Sequence, residues 1–294
     1  MQKYIVIADD LTGSNATCSL LKKIGLRAAS ILKLQNGMKY DADVISYSTG
    51  SRGLDKEEAY KRVSEAIKIL KDKNVLVYNK RIDSTLRGNI GAEINAMLDN
   101  LENDRIAVVV PAYPDSKRIV VNKTMLVNGV LLENSDAGKD PKTPIKTSCV
   151  ETLIQKDCKY SSTYFDLADI EQPTEKLIKK IQKSTEKSRV LIFDAVNNED
   201  IIKISRAIIQ SNINIITVDP GPFTLYFSKE LQKKKHLEKK ILMLIGSVTE
   251  TTKKQIEYIL QEEDIFLVKM KAESFFEKES CIKEIARIML KILE

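Results

Sequence analysis

The feature that most constrains the fold is a repeated alternation of short apolar runs with longer amphipathic segments. Runs of about four to eight residues rich in Val, Ile and Leu are typical of strands buried on both faces of a sheet. Such runs predict strands at 4–8, 43–48, 75–79, 106–111, 189–195, 213–219 and 241–246.

The segments between these runs carry apolar residues at helical spacing. In 55–72, for example, Ala59, Val63, Ala66 and Leu70 fall on one face. The same pattern predicts helices at 14–24, 55–72, 91–101, 174–187, 198–211 and 249–262. Strands that alternate with helices predict an α/β fold, with a parallel sheet between two helical layers.

The segment 124–133 departs from this alternation. Its two apolar runs flank Asn128 and Gly129, a pair suited to a type I′ turn, which predicts a β-hairpin. The loop that follows, 134–148, contains two prolines and a glycine and is predicted to be ordered. Long loops of this kind serve as lids over sites or as plain surface excursions, and the sequence leaves both readings open.

A lysine-dense stretch at 228–240 marks the predicted domain boundary. We expect a substrate domain at 1–228, a linker at 229–240 and the start of a second α/β domain at 241–294. The alternative for the stretch is a solvated helix end.

Composition excludes several classes of function. The net charge of +6 is small and no basic stripe carries interleaved aromatics, so a nucleic-acid partner is not expected. The single histidine, His236, and four cysteines without paired spacing predict no metal site built from imidazoles or thiolates. No signal peptide and no run of 18 apolar residues occurs, so we expect a cytoplasmic protein that does not cross a membrane.

Three polar clusters follow predicted strands. Asp9 and Asp10 follow the first strand, before a turn at Gly13 and a helix that Ser14 or Asn15 is expected to cap. In open parallel sheets, ligands bind at the carboxyl ends of the strands, so the three clusters are expected to converge.

The second cluster presents Arg52 after the strand at 43–48, and the third, "KRIDSTLRGNIGAEI", follows the strand at 75–79. Guanidinium groups suit a ligand carboxylate, and aspartates accept hydrogen bonds from hydroxyls, so a sugar acid fits this mixture. The alternative is structural: the aspartates cap helices, and Arg87 pairs with Glu93 on a solvated face.

The motifs "IADDLTGSNAT" and "KRIDSTLRGNIGAEI", with the stretch from Pro111 to Ser148, resemble successive signatures of the four-carbon acid sugar kinases. "GSVTETTKKQI", at 246–256, resembles the start of that family's nucleotide-binding domain. The resemblance runs from residue 1 to about 260. It implies phosphorylation of a hydroxyl on a four-carbon sugar acid, with ATP and Mg²⁺ as cofactors.

The resemblance also extends to individual residues. It leaves the general base open between Asp10 and Asp83, and it places nucleotide contacts at Gly246 and Ser247. Together with the polar clusters, it predicts sugar-acid binding by Asp9, Asp10, Arg52, Arg81, Ile82, Asp83, Ser84 and Arg87.

Two departures from the family pattern bear on function. No glycine follows Gly246, so the nucleotide-binding domain is predicted to be truncated. At 218–223, where many family members have a Gly-Ser-Ala-Gly-like turn, Pro220 and Pro222 remove two backbone donors, which argues against an anion-binding role for this turn. The alternative function is a sugar-acid-binding module, or the substrate half of a split kinase whose partner chain supplies the rest. A homodimer is expected by analogy with the family.

Overall fold

The structure is a computed structural model that describes residues 4–35, 37, 40–237, 243, 245–262, 267 and 282–283. The chain divides into two compact units, Met1–Lys233 and Lys234–Glu294. The predicted linker overlaps the end of a helix that runs to Leu237, and the predicted domain limits remain a prediction. The predicted strand at 241–246 lies partly outside the described residues, because 241, 242 and 244 are not among them.

The strands of the described part alternate with helices as the sequence predicts. They are β1 (Tyr4–Ala8), β2 (Ala28–Ile31), β3 (Val44–Ser48), β4 (Val77–Arg81), β5 (Ile106–Val109), β6 (Arg118–Val121), β7 (Thr124–Val127), β8 (Val130–Leu131), β9 (Ser162–Phe165), β10 (Val190–Phe193) and β11 (Ile215–Asp219). Eight of them form one parallel sheet in the order β2-β3-β1-β4-β11-β5-β10-β9. The predicted parallel α/β fold is therefore confirmed.

The helices form two groups. They are α1 (Leu11–Lys22), α2 (Lys56–Leu70), α3 (Ile90–Asn100), α4 (Val150–Gln155), α5 (Leu167–Glu171), α6 (Thr174–Thr185), α7 (Asn198–Ser211), α8 (Pro222–Leu237) and α9 (Glu250–Glu262). Helix α3 contacts α2 and α4, and helix α7 contacts α5 and α6. Right-handed crossovers place α2 and α3 on one face of the sheet and α1, α6 and α7 on the other, which gives three layers.

The core lies where these layers meet. Every residue of β1, β4, β5, β10 and β11 is buried. On α2, the predicted apolar face of Ala59, Val63, Ala66 and Leu70 is buried as well. Burial on both faces explains why β1, β5 and β10 read as continuous apolar runs.

The segment 118–131 forms a separate antiparallel sheet of β6, β7 and β8. Asn128 and Gly129 have φ values of 52° and 80°, as a type I′ turn requires, so the predicted hairpin is confirmed. The third strand, β6, was not expected.

The order of the strands positions the site. From β1 the chain crosses to β2 on one side, whereas from β3 it crosses over β1 to β4 on the other. Ala8, Ser48 and Arg81 share one register level, and Asp219 pairs with Arg81 at that level. The loops that follow these four strands therefore begin side by side, at the reversal point where open sheets bind ligands.

Candidate functional site

The loops after β1 and β3 meet in an ion pair between Arg52 and Asp9. Nε of Arg52 lies 2.7 Å from Oδ2 of Asp9, and Nη2 lies 3.1 Å from Oδ1. The backbone joins the same loops, because the N–H groups of Ser51 and Arg52 donate to the Asp9 carbonyl at 3.0 and 3.3 Å. Asp9 is buried, so this ion pair lies at the inner side of the site, at the carboxyl-end edge of the sheet.

Asp10 contacts the same guanidinium of Arg52 from the side opposite Asp9. Its Oδ2 lies 2.7 Å from Nη1 of Arg52, while its Oδ1 accepts a hydrogen bond from the Gly13 N–H at 2.7 Å. Asp10 is therefore the N-cap of α1. The predicted cap at Ser14 or Asn15 is wrong, because α1 begins at Leu11.

Asp83, after β4, is the third carboxylate around Arg52 and forms with Asp9 and Asp10 a ring of charges around its guanidinium. It lies 3.5 Å from Nη2 of Arg52 and receives two hydrogen bonds from Arg87, at 2.7 and 3.1 Å. Burial alone would raise the pKa of Asp83, but hydrogen bonds from Arg87 and Thr85 and the charge of Arg52 lower it to about 2. Asp83 is thus held as a carboxylate.

The loop at 134–148 reaches the site through Asp140. Its carboxylate lies 2.8 Å from Nη1 of Arg87, and its other oxygen accepts hydrogen bonds from the N–H groups of Lys142 and Thr143. The loop is ordered, as predicted, with a 3₁₀ turn at Asp136–Lys139. Ion pairs therefore run without a break from the loop, through Arg87 and Asp83, to Arg52.

Arg81 lies beneath this ring and is buried. Its Nη1 donates to the Ile82 carbonyl, and its Nε lies 3.4 Å from the Gly13 carbonyl. Loss of solvation lowers the pKa of Arg81, opposed by the charges of Asp219, Asp9, Asp83 and Asp10. A Cβ at position 13 would lie 2.8 Å from Oδ1 of Asp10 and 3.2 Å from Nε of Arg81, so glycine there leaves room for both charged side chains.

Ile82 and Ser84 flank Asp83 in different environments. The side chain of Ile82 is fully buried in the apolar core, whereas Ser84 is half-buried. Ile82 is 0% exposed, backbone included, and its carbonyl already accepts a hydrogen bond from Arg81, so the predicted contact of Ile82 with the sugar acid has no open surface in this structure.

Sequence reasoning missed a buried ion pair behind the site. Nζ of Lys80 lies 2.9 Å from Oε2 of Glu93, and the two side chains are 0% and 1% exposed. The expectation that Glu93 pairs with Arg87 on a solvated face is wrong, because Arg87 turns to Asp83 and Asp140 instead. No local signal marks the pair, because Lys80 follows the predicted strand at 75–79 and becomes part of a buried strand only in the folded sheet.

Asp219, at the end of β11, was also missed. Its Oδ2 accepts hydrogen bonds from the N–H groups of Gly221 and Thr224, at 2.7 and 3.1 Å. Burial raises the pKa of Asp219, opposed by the hydrogen bonds from Thr224 and Gly221 and the charge of Arg81. The backbone amides of Gly221 and Thr224 are therefore already engaged by a carboxylate of the protein.

Gly246 and Ser247 lie in the second unit, just before α9, and both are exposed. The hydroxyl of Ser247 accepts a hydrogen bond from Thr252 at 2.9 Å and lies 3.2 Å from that of Thr249. Exposed hydroxyls before a helix suit phosphate oxygens.

Comparison with known proteins places the chain in a family. The sugar-binding N-terminal domain family matches residues 4–227, which include β1 to β11 and every site residue of the first unit. The chain is 40% identical over 268 residues to the D-erythronate kinase of Heliobacterium modesticaldum, covering 88% of this chain and 60% of that protein. It is 30% identical over 260 residues to the D-threonate kinase of Salmonella typhimurium, covering 88% and 61%.

A solved structure shares the fold. A Haemophilus influenzae protein from a domain family of unknown function superposes with a TM-score of 0.68 at 25% identity, covering 87% of this chain and 65% of that one. The chain thus spans about 60% of the length of the curated relatives it matches.

Proposed function

Since the chain belongs to the four-carbon acid sugar kinase family through its sugar-binding N-terminal domain, we propose that the protein transfers the γ-phosphoryl group of ATP to a hydroxyl of a four-carbon sugar acid. The names of its relatives, D-erythronate kinase and D-threonate kinase, support this class of substrate. The order of the sheet supports it too, because the charged loops meet at the reversal point beside β1.

The observation that carries the proposal is the alternation of cations and carboxylates at one edge. Arg52, Arg81 and Arg87 lie among Asp9, Asp10 and Asp83. A guanidinium binds a ligand carboxylate with two parallel hydrogen bonds, and carboxylates accept hydrogen bonds from hydroxyls. We assign the acid group to Arg52 and the hydroxyls to Asp9 and Asp83.

Asp10 is the better candidate for the general base. Asp83 is a weak proton acceptor near neutral pH, because its pKa is lowered to about 2. The side chain of Asp10 is 27% exposed against 9% for Asp83, so the acceptor hydroxyl reaches it more readily. Phosphoryl transfer depends mainly on positioning and charge stabilisation, so we expect the base to contribute less than the arginines.

We propose that Gly246 and Ser247 contact the nucleotide in the second unit. The part of the chain that the structure describes contains no group of three side chains suited to a metal ion. Mg²⁺ that accompanies ATP would neutralise phosphate charge during the transfer.

Assembly and location stay predictions. A homodimer is the expected state, and light scattering of the purified chain measures it directly. Among the described residues, no helix has the length and apolar character to cross a bilayer.

The proposal is tested with purified protein, ATP, Mg²⁺ and a panel that includes D-erythronate and D-threonate. Thermal shift with each acid alone reports binding, and ADP release reports transfer. We expect a shift and turnover with at least one acid. A panel without any shift would contradict the assigned pocket, and a shift without turnover would contradict kinase activity of this chain.

A further inference from the structure

The buried pair of Lys80 and Glu93 has every polar atom engaged. Besides Glu93, the ammonium of Lys80 donates to the carbonyls of Ile7 and Arg81, at 3.2 and 2.8 Å. Ile7 belongs to β1 and Arg81 to β4, the strands that lead to Asp9 and Asp83. The lysine therefore ties together the ends of the two strands that carry the aspartates.

Glu93 extends this network to the third strand end. Its Oε1 accepts a hydrogen bond from the hydroxyl of Ser51, the residue before Arg52. The same hydroxyl lies 2.7 Å from that of Thr49, which donates to the carbonyl of Ala8 at 3.0 Å. Lys80, Glu93 and Ser51 thus join β1, β3, β4 and α3 at a point directly behind Arg52.

Stability alone does not account for such a pair. Burial strips both charges of water, and apolar residues of similar volume often give equal or greater stability than a buried ion pair. Burial also raises the pKa of Glu93, opposed by the charge of Lys80. An apolar pair would fill the same space, but it would leave the Ser51 hydroxyl without its carboxylate.

We propose that Lys80 and Glu93 are positioning residues that hold Arg52, through Ser51, in the orientation that receives the carboxylate of the sugar acid. The inference rests on the proposed function in one respect, that Arg52 is the acid-binding group. The pair itself is buried beneath the site and does not touch the ligand.

The most specific test removes the hydrogen bond between Ser51 and Glu93 and leaves the ion pair of Lys80 and Glu93 intact. Ser51→Ala removes only the hydroxyl between Glu93 and the Arg52 loop. Ser64→Ala is the matched control, since Ser64 is also buried but lies on α2, where it accepts a hydrogen bond from Asn100. The double variant Lys80→Met/Glu93→Leu tests whether an apolar pair keeps the fold and loses the function.

The first readout needs no ligand. The Nε–H signal of Arg52, identified by its loss in Arg52→Lys, reports the hydrogen bond to Asp9. We expect its exchange with water to be about tenfold faster in Ser51→Ala and in the double variant, and unchanged in Ser64→Ala. Equal exchange in Ser51→Ala and Ser64→Ala would overturn the inference, whatever the ligand does.

The second readout is the Kd of D-erythronate, with D-threonate as the alternative probe. We expect Ser51→Ala to raise the Kd about tenfold, with Ser64→Ala close to the unaltered protein. If the unaltered protein binds neither acid while Arg52 exchange responds as expected, the proposed function fails and the control of Arg52 by Ser51 stands. If it binds and Ser51→Ala binds equally well, the inference fails and the proposed function stands.

Discussion

Both edges of the Arg52 guanidinium are engaged by carboxylates of the protein. Asp9 takes Nε and Nη2 at 2.7 and 3.1 Å, and Asp10 takes Nη1 at 2.7 Å. A sugar-acid carboxylate that binds Nη1 and Nη2 of Arg52 therefore competes with these partners. Asp10 is the partner more readily replaced, because its side chain is 27% exposed against 3% for Asp9.

Arg52→Lys should weaken sugar-acid binding by about tenfold or more, since one ammonium does not reproduce the planar fork of a guanidinium. Arg52→Ala and Asp83→Ala should abolish binding and leave the fold intact. Calorimetric titration with D-erythronate measures the affinity, and circular dichroism checks the fold. The control is Arg27→Lys, which alters an exposed pair with Asp41 at the start of β2. Unchanged affinity in Arg52→Lys would contradict the acid-binding role.

Asp83 should make stability depend on pH in the acid range. Its folded pKa of about 2 lies below the ordinary 3.8, so its contribution is complete above the ordinary value and is lost as pH falls through the folded one. The shift corresponds to about 2 kcal/mol of unfolding free energy. Urea unfolding between pH 5 and 2 measures it.

Asp83→Asn is the matched variant for that experiment. Between about pH 4 and 2, its unfolding free energy should fall less steeply than that of the unaltered protein. Parallel curves for the two proteins in this range would show that Asp83 has the same pKa folded and unfolded.

Asp140→Asn should loosen the loop at 134–148. The change removes the charge that pairs with Arg87 but keeps an oxygen for the N–H groups of Lys142 and Thr143. We expect faster amide exchange at Lys142 and Thr143 and an affinity for the acid reduced a few-fold. Asp136→Asn, in the same loop, is the control. Exchange rates that match those of the control would exclude Asp140 as the anchor of the loop.

Gly91→Ala should destabilise the fold, although alanine is the better helix former. A Cβ at position 91 would lie 2.1 Å from the Lys156 carbonyl oxygen and 2.7 Å from the Cys158 nitrogen. We expect a loss of about 1–3 kcal/mol, read from the urea midpoint. Gly53→Ala is the control, because its Cβ would only touch Lys142 at 3.5 Å. Equal urea midpoints for Gly91→Ala and Gly53→Ala would show that the backbone at 156–158 moves away from the added Cβ without a measurable loss of stability.

The fold could be predicted where strands are buried on both faces. β1, β5 and β10 consist of apolar residues because helices cover both their sides. β2 and β9 were missed because they form the edges of the sheet, are only partly buried and lack an apolar run. The order of the strands depends on crossovers that no local pattern records.

The site could be predicted only in part. Asp9, Arg52 and Asp83 meet because they follow adjacent parallel strands, and that rule can be applied to a sequence. Lys80 and Glu93 were missed because their burial depends on tertiary packing, not on residue type. Asp140 was missed because a loop of this length leaves the position of its carboxylate open.

The place of β11 in the sheet has a consequence for how the chain is made. β11 lies between β4 and β5 and is the last strand of the first unit along the chain. While the ribosome synthesises the first 214 residues, the sheet lacks a central strand, and β4 and β5 have open edges facing one another. Open edges invite pairing with other chains, so the nascent protein is most prone to aggregate just before residues 215–219 emerge.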